Sequence, residues 1–224
     1  MWKELFSIFR SDDLLAQAWS DSYTMLEVGQ EMTREAMYVL RHDDRDEVDP
    51  AIRAKDKMVN RFEREVRRKV MTHCAVQGSG DLASGLVLVS IVIDIERIGD
   101  YSKNIMDLAV VHPGKLSIPE FDEELQSIED AIAVRFADTI EVLRSHDEER
   151  ARELLDTYKK EITRSCDTMV DDIVSGRISS LTPPDAAAAA LYARYLKRIG
   201  AHLKNVTTCV VNPVEWIGYR KVKA

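Results

Sequence analysis

Residues 94–105 read Asp-Ile-Glu-Arg-Ile-Gly-Asp-Tyr-Ser-Lys-Asn-Ile, and residues 195–206 read Tyr-Leu-Lys-Arg-Ile-Gly-Ala-His-Leu-Lys-Asn-Val. The two stretches share the frame Arg-Ile-Gly-x-x-x-Lys-Asn followed by Ile or Val, at an offset of 101 residues. A second pair of similar stretches, residues 39–44 and 142–147, is separated by about the same distance. Two similarities at nearly one offset predict that the chain contains one structural unit twice.

The composition is typical of a helical protein. The chain has 224 residues, of which 31% are charged and only 7% aromatic; long-helix bundles have this profile more often than sheet proteins. The net charge of −8 argues against a nucleic-acid partner, because phosphate binding needs a basic face. Together with the repeat, the length predicts two similar halves that share one core.

The sequence also predicts a cytoplasmic location. The longest apolar stretch, residues 82–93, is too short to span a membrane and predicts a buried helix segment. The first residues lack the basic region and small-residue cleavage site of a signal peptide. The three cysteines, Cys74, Cys166 and Cys209, show no Cys-x-x-Cys spacing, which is typical of a protein with reduced thiols.

Capping residues mark the predicted helix boundaries. Asp49 before Pro50 predicts an N-cap followed by Pro at the first helical position. Residues 117–120 and 182–185 each place a hydroxyl three residues before a carboxylate, as in a capping box. Six helical segments are predicted between these marks, at residues 20–41, 50–76, 81–112, 118–145, 147–177 and 183–211. The predicted fold class is all-α, with two tandem three-helix bundles.

These segments give four parts of the chain: an N-terminal extension at 1–19, a first three-helix repeat at 20–115, a second at 116–215 and a C-terminal tail at 216–224. The extension has apolar residues clustered between Trp2 and Phe9. We expect this cluster to form a short helix packed on the bundle or on a second subunit. A foot at a membrane surface is less favoured, because Lys3 and Arg10 are the only cations of the extension.

Two lines of polar residues are candidates for a binding site. Glu96 and Asp100 lie four residues apart, so on a helix they stand on the same face, opposite the apolar stripe of that segment. On the preceding segment Asp56, Asn60 and Glu63 form a similar line. Two such helices facing each other could supply oxygen ligands to a hard or borderline cation. The alternative is a solvated polar face, which is common on charged helices.

Histidine positions bear on two other kinds of helical metal site. A ferritin-type di-iron site needs Glu-x-x-His, and none of the five histidines has Glu three residues before it. His42-Asp43 and His146-Asp147 are similar to the His-Asp pair of all-helical metal phosphohydrolases. Both pairs lie at predicted helix-to-helix turns, where polar residues are expected in any case, so the sequence does not favour catalysis there.

The repeated motif closely resembles the signature of the PhoU family of phosphate-uptake regulators. The resemblance rests on residues 94–100 with Asn104, and on Arg194, Tyr195, Arg198, Gly200, His202 and Asn205 in the second half. It extends from about residue 20 to 215 and includes the two-by-three helix layout. It implies two three-helix bundles related by a pseudo-two-fold axis.

The resemblance also implies a metal site in the first half. Family members carry metal clusters held by Glu/Asp-x-x-x-Asp motifs on neighbouring helices, which points to four residues of this chain: Glu96, Asp100, Asp56 and Asn60. Asn60 departs from the acid of the family pattern. The implied ion is divalent or ferric, and iron, zinc, manganese and magnesium all remain open.

The second half is expected to bind no metal. Lys197 and Ala201 stand where the first half has Glu96 and Asp100, and a lysine ammonium cannot ligate a cation. We expect Lys197 to pair with a nearby acid such as Glu161.

The implied function is regulation by protein contact. The resemblance implies a cytoplasmic protein that damps phosphate uptake and phosphate-starvation signalling, contacts the cytoplasmic face of a phosphate transporter or a sensor histidine kinase, and is no enzyme. A homodimer, at most peripheral to the membrane, is expected. The alternatives are a metal-dependent phosphohydrolase that uses Glu96 and Asp100, with His42 as a further candidate, and a structural helical module without metal.

Overall fold

The computed structural model describes residues 13–43 and 47–219, apart from the side chains of Lys159 and Lys160. Its helices are α1 (Leu14–His42), α2 (Pro50–Gln77), α3 (Leu82–Val111), α4 (Asp122–Ser145), α5 (Glu148–Tyr158), α6 (Arg164–Val174) and α7 (Pro183–Val211). A π-helical turn, Lys159–Thr163, joins α5 to α6. Short 3₁₀ turns precede α3 and α4 and follow α7. No strand occurs in these two ranges, and the all-α prediction is confirmed.

Two of the three predicted helix starts have the expected caps. The Asp49 carboxylate accepts a hydrogen bond from the backbone N–H of Ala51 at 2.8 Å, and the Thr182 hydroxyl accepts from the N–H of Asp185 at 3.3 Å. The capping box at residues 117–120 was wrong. There the chain forms a 3₁₀ turn whose N-cap, Ile118, is buried and gives no side-chain bond, because burying the apolar side chains fixes this backbone.

The first helix begins earlier than the sequence indicated. α1 starts at Leu14, where Asp13 caps it by accepting from the N–H of Leu15 at 2.9 Å. Residues 14–19, which were assigned to the N-terminal extension, are therefore helical. The apolar cluster between Trp2 and Phe9, like residues 220–224 of the predicted tail, lies outside the described residues.

The helices pack as two groups of three, which is consistent with a tandem repeat. In the first half α1, α2 and α3 pack against one another. In the second half α7 packs against α4, α5 and α6, and the pair α5–α6 takes the place of the single fifth helix that was predicted. α3 packs against α7 and α1 against α4, so one apolar core runs through both halves. None of the helices in the described ranges has the length and apolar character needed to cross a membrane.

The π-helical turn has a buried arginine beside it. Arg135 of α4 donates to the carbonyl oxygen of Leu154 at 2.6 Å, to the Thr157 hydroxyl at 2.9 Å and to Glu161 at 2.8 Å. These three acceptors lie at the end of α5 and within the turn. The guanidinium therefore ties α4 to the place where the fifth segment changes its helical repeat.

The two glycines of the repeated frame differ in their surroundings. A Cβ atom built on Gly200 would lie 3.0 Å from Tyr158 Cε2 and 3.1 Å from Ile162 Cδ1, whereas one built on Gly99 would meet Val59 Cγ1 at an ordinary 3.5 Å. Close approach to a neighbouring helix thus requires glycine in the second half but not in the first.

We expect Gly99→Ala to raise the free energy of unfolding by about 0.5 to 1 kcal/mol, because alanine is the better helix former. Gly200→Ala should lower it by about 1 to 2 kcal/mol, because the Tyr158 ring cannot move freely while its hydroxyl is bonded to the carbonyl of Lys197 at 3.1 Å. Urea unfolding of both variants measures the difference. Equal changes in the two variants would contradict this account.

The cysteines should differ in reactivity. Cys166 and Cys209 are buried, and burial raises the pKa of both thiols to about 12, whereas Cys74 is partly exposed. Since the thiolate is the reactive form, we expect a maleimide to label Cys74 alone in the native protein and all three residues after denaturation. Mass spectrometry of the labelled peptides checks this, and native labelling of Cys166 would disprove it.

Candidate functional site

The motif of the first half divides between two faces of α3. Glu96, Asp100 and Lys103 form the half-buried face that meets α2. Asp94 and Tyr101 instead contact α7 of the second half. The frame therefore contributes both to a polar cluster within the first half and to the interface between the halves.

The polar cluster contains its own cation. The Lys103 ammonium lies 3.2 Å from Asp56 Oδ1 on α2 and 3.3 Å from Asp100 Oδ1 on α3. Arg97 adds a second positive charge, with Nη1 3.3 Å from Asp100 Oδ2 and Nε 3.7 Å from Glu96 Oε2. The structure thus brings together three of the four predicted metal ligands, Asp56, Glu96 and Asp100, but around side-chain cations.

The side chain of the fourth predicted ligand, Asn60, bonds within its own helix. The Asn60 amide donates a hydrogen bond to the backbone carbonyl of Asp56 at 3.0 Å, within its own helix. The next residue of that line, Glu63, pairs with Arg67 at 2.8 Å. The negative charge of Glu63 nevertheless reaches Glu96 across the two helices.

Protonation in this cluster follows from burial and neighbouring charge. Burial, and then the charges of Asp100 and Glu63, raise the pKa of Glu96 above its ordinary value. Burial alone would lower the pKa of Lys103, but its bonds to Asp56 and Asp100 outweigh burial and raise it. The ammonium therefore stays charged at neutral pH.

This arrangement does not fit a metal ion. Across residues 13–43 and 47–219, no group of three His, Cys, Asp or Glu side chains is placed to hold one. A bridging cation would need oxygens of both Asp56 and Asp100, and the Lys103 ammonium lies against both. The metal ligands implied by the resemblance, Glu96, Asp100, Asp56 and Asn60, stay a prediction.

The second half balances its charges with different pairs. Lys197 bonds to Asp167 and not to Glu161 as expected. Glu161 is paired with the buried Arg135, which approaches it from α4. The partner is a nearby acid, as expected, but Glu161 was the wrong residue, because Arg135 reaches Glu161 from another helix. Lys204, which corresponds to Lys103, donates to the carbonyl oxygen of Gly218 at 3.4 Å.

A second polar group joins α3 to α7. Asp94 Oδ1 lies 2.6 Å from His202 Nδ1 and accepts from the Asn205 amide at 2.9 Å. Arg198 donates to the Tyr101 hydroxyl at 3.3 Å, and the Tyr101 ring stacks on His202 with centroids 5.7 Å apart. The sequence alone assigned no contact to His202. Its place in the repeated motif was the signal that could have identified it.

A third polar group, in which Arg41, Glu129 and Tyr192 are buried, links the halves. Arg41 of α1 donates to Asp122 at 2.6 Å, and its Nε lies 3.6 Å from Glu129 Oε1. Glu129 accepts from the Tyr192 hydroxyl of α7 at 2.5 Å. Burial is the main cause that raises the pKa of Glu129, and the Tyr192 bond and the Arg41 charge oppose it. No sequence motif marks these residues.

The histidines of the phosphohydrolase alternative have other surroundings. His42 lies at the end of α1 with its ring beside Tyr38, at a centroid distance of 5.4 Å. His146 is the C-cap of α4, in the left-handed conformation with φ of 55°. Burial lowers the pKa of His146. Both positions match the helix ends that the sequence predicted.

Comparison with known proteins agrees with this fold. Residues 23–109 match the family model of the PhoU domain. The crystal structure of PhoU from Pseudomonas aeruginosa is similar with a TM-score of 0.79 and 20% identity, covering 90% of this chain and 97% of that one. The phosphate transport system regulatory protein PhoU from Streptococcus pneumoniae is similar with a TM-score of 0.77 and 17% identity, covering 88% and 93%. No curated protein matches the chain.

Proposed function

We propose that this chain is a cytoplasmic regulator of phosphate uptake and phosphate-starvation signalling that acts by contact with other proteins. The premise is that the chain belongs to the PhoU family, with a PhoU domain at residues 23–109 and the PhoU fold across both halves. Family membership supports the regulatory role in phosphate uptake, and PhoU proteins are regulators and not enzymes. The cytoplasmic location and the mode of action are the proposal.

Exposed apolar side chains support action by contact. Leu82, Leu86 and Ile93 lie on one face of α3 and are 45%, 46% and 40% exposed. Their spacing of four and seven residues places them in one stripe. Clustered exposed apolar residues mark surfaces that other proteins cover. This stripe is the observation on the molecule that carries the proposal.

The negative net charge of the chain favours a partner with a basic surface. The net charge is −8, whereas cytoplasmic loops of membrane proteins carry an excess of Lys and Arg. Complementary charge speeds association and fixes its orientation. We therefore propose the cytoplasmic face of a phosphate transporter as the main partner, a sensor histidine kinase as a further one, and a homodimer as the assembled form.

Direct binding tests the proposal. The purified chain is titrated against the phosphate transporter of the same organism in lipid nanodiscs and against the cytoplasmic part of its phosphate-responsive sensor kinase. We expect binding to at least one of them, none to empty nanodiscs, and a light-scattering mass of twice 25.5 kDa.

A matched pair of variants tests the stripe. Leu86→Glu should weaken binding at least about tenfold, whereas Leu191→Glu, at a similarly exposed leucine of α7, should not. Binding to neither partner would contradict the proposed mode of action. Equal effects of the two variants on binding would show that the stripe of Leu82, Leu86 and Ile93 is not the contact surface.

A further inference from the structure

Lys103 occupies the position from which a cation would bridge α2 and α3. Its ammonium contacts one carboxylate of each helix, Asp56 at 3.2 Å and Asp100 at 3.3 Å. Lys103 belongs to α3 itself, three residues after Asp100, so folding alone places this positive charge and no ion from solution is needed. Only about a third of the side chain is exposed, so solvent screens this contact less than it screens an ordinary surface ion pair.

The surrounding side-chain cations offset most of the negative charge of the cluster. The cluster has four carboxylates, Asp56, Glu63, Glu96 and Asp100, and three cations, Arg67, Arg97 and Lys103. Each carboxylate lies within 4 Å of at least one of these cations. A divalent ion entering between Asp56 and Asp100 would meet the Lys103 ammonium, and like charges at such distances repel strongly where water is partly excluded.

The second half supports the same interpretation. Where the repeat replaces Glu96 by Lys197, that lysine pairs with Asp167 of α6. Where it replaces Asp100 by Ala201, the lysine equivalent to Lys103, Lys204, donates to the carbonyl oxygen of Gly218. Each half thus uses a lysine of the motif helix to neutralise an acid of its middle helix, Asp56 in one half and Asp167 in the other.

We propose that the Lys103 ammonium is the built-in cation of the first half, standing where the family resemblance implies a metal, and that its removal leaves Asp56 and Asp100 free to turn toward a hard divalent cation between the two helices. The chain then binds no stoichiometric metal in its natural form. This proposal does not depend on the regulatory function, since it concerns the charge balance of two helices.

The test uses the full-length protein with Lys103→Met, which keeps the length of the side chain and removes its charge. Metal content is measured by mass spectrometry after purification without chelator or added metal. Mn²⁺ binding is then followed by the resonance signal of the free ion. We expect substoichiometric metal and no saturable Mn²⁺ binding in the natural protein. The variant should bind Mn²⁺ saturably, at about one ion per chain.

Control variants test whether the gain of Mn²⁺ binding arises at Lys103 and Asp100. Lys115→Met changes an exposed lysine of the loop after α3 and should behave like the natural protein. Adding Asp100→Asn to Lys103→Met should remove the new Mn²⁺ binding. The melting temperature of Lys103→Met should rise on adding Mn²⁺ and fall with chelator, which a variant that merely fails to fold would not show. Stoichiometric metal in the natural protein, or no gain of Mn²⁺ binding in Lys103→Met, would overturn the proposal.

Discussion

An Arg41→Met variant is expected to lose about 3 to 5 kcal/mol of its free energy of unfolding at neutral pH. The Arg41 side chain is 5% exposed and Glu129, 3.6 Å away, is 9% exposed. Without the guanidinium, Glu129 would keep its hydrogen bond from the Tyr192 hydroxyl but lose the positive charge that offsets its own. A buried carboxylate that loses its cation is far more costly than a surface ion pair. Urea unfolding followed by circular dichroism measures the loss.

The loss should depend on pH in a defined direction. The pKa of Glu129 is raised in the fold above the ordinary 4.5, chiefly by burial, so its contribution to stability is fully present below pH 4.5 and is lost as pH rises. Removing Arg41 raises that pKa further, and the deficit of the variant should therefore grow from pH 4.5 to neutral pH. Adding Glu129→Gln should recover part of the loss. A deficit independent of pH would contradict this explanation.

The second large effect is expected at Asp94. Asp94→Ala should lower the free energy of unfolding by about 2 to 4 kcal/mol, because it leaves the His202 ring and the Asn205 amide without their common acceptor between α3 and α7. Asp94→Asn keeps one acceptor oxygen and should lose less. The change also removes a contact between the two halves.

A control on the same helix separates this effect from a loss of surface charge. Asp107 is an exposed residue of α3, and Asp107→Ala should change the free energy of unfolding by no more than about 0.5 kcal/mol. If both alanine variants lose the same amount, the bonds to His202 and Asn205 do not stabilise the interface.

Local sequence signals were sufficient for most of the fold. The Asp49–Pro50 pair and the Thr182 cap determined where α2 and α7 begin, because a cap satisfies N–H groups of its own first turn. The apolar stripe opposite Glu96 and Asp100 correctly predicted the buried face of α3, which includes Ile91, Ile95, Ile98 and Ile105. The start of α1 was missed by six residues, since Asp13 had not been considered as its cap.

Apart from the start of α1, the main features that the sequence did not predict depend on distant contacts. His202 meets Asp94, 108 residues away along the chain, and Tyr192 meets Glu129 from another helix. The π-helical turn has no glycine or proline to mark it. The same limit applies to the candidate metal site. Glu96 and Asp100 were visible as a pair, but the role of Lys103 became evident only when Asp56 was found beside it.

The most direct test of the regulatory account is the initial rate of radiolabelled phosphate uptake by phosphate-replete cells. The rate is compared between the parent strain, a strain lacking this gene, and that strain carrying the gene again. The account predicts that uptake rises when the gene is deleted and returns to the parental rate with the natural protein. Unchanged uptake in the deletion strain, together with Glu96-dependent hydrolysis of phosphoesters by the purified protein, would contradict it.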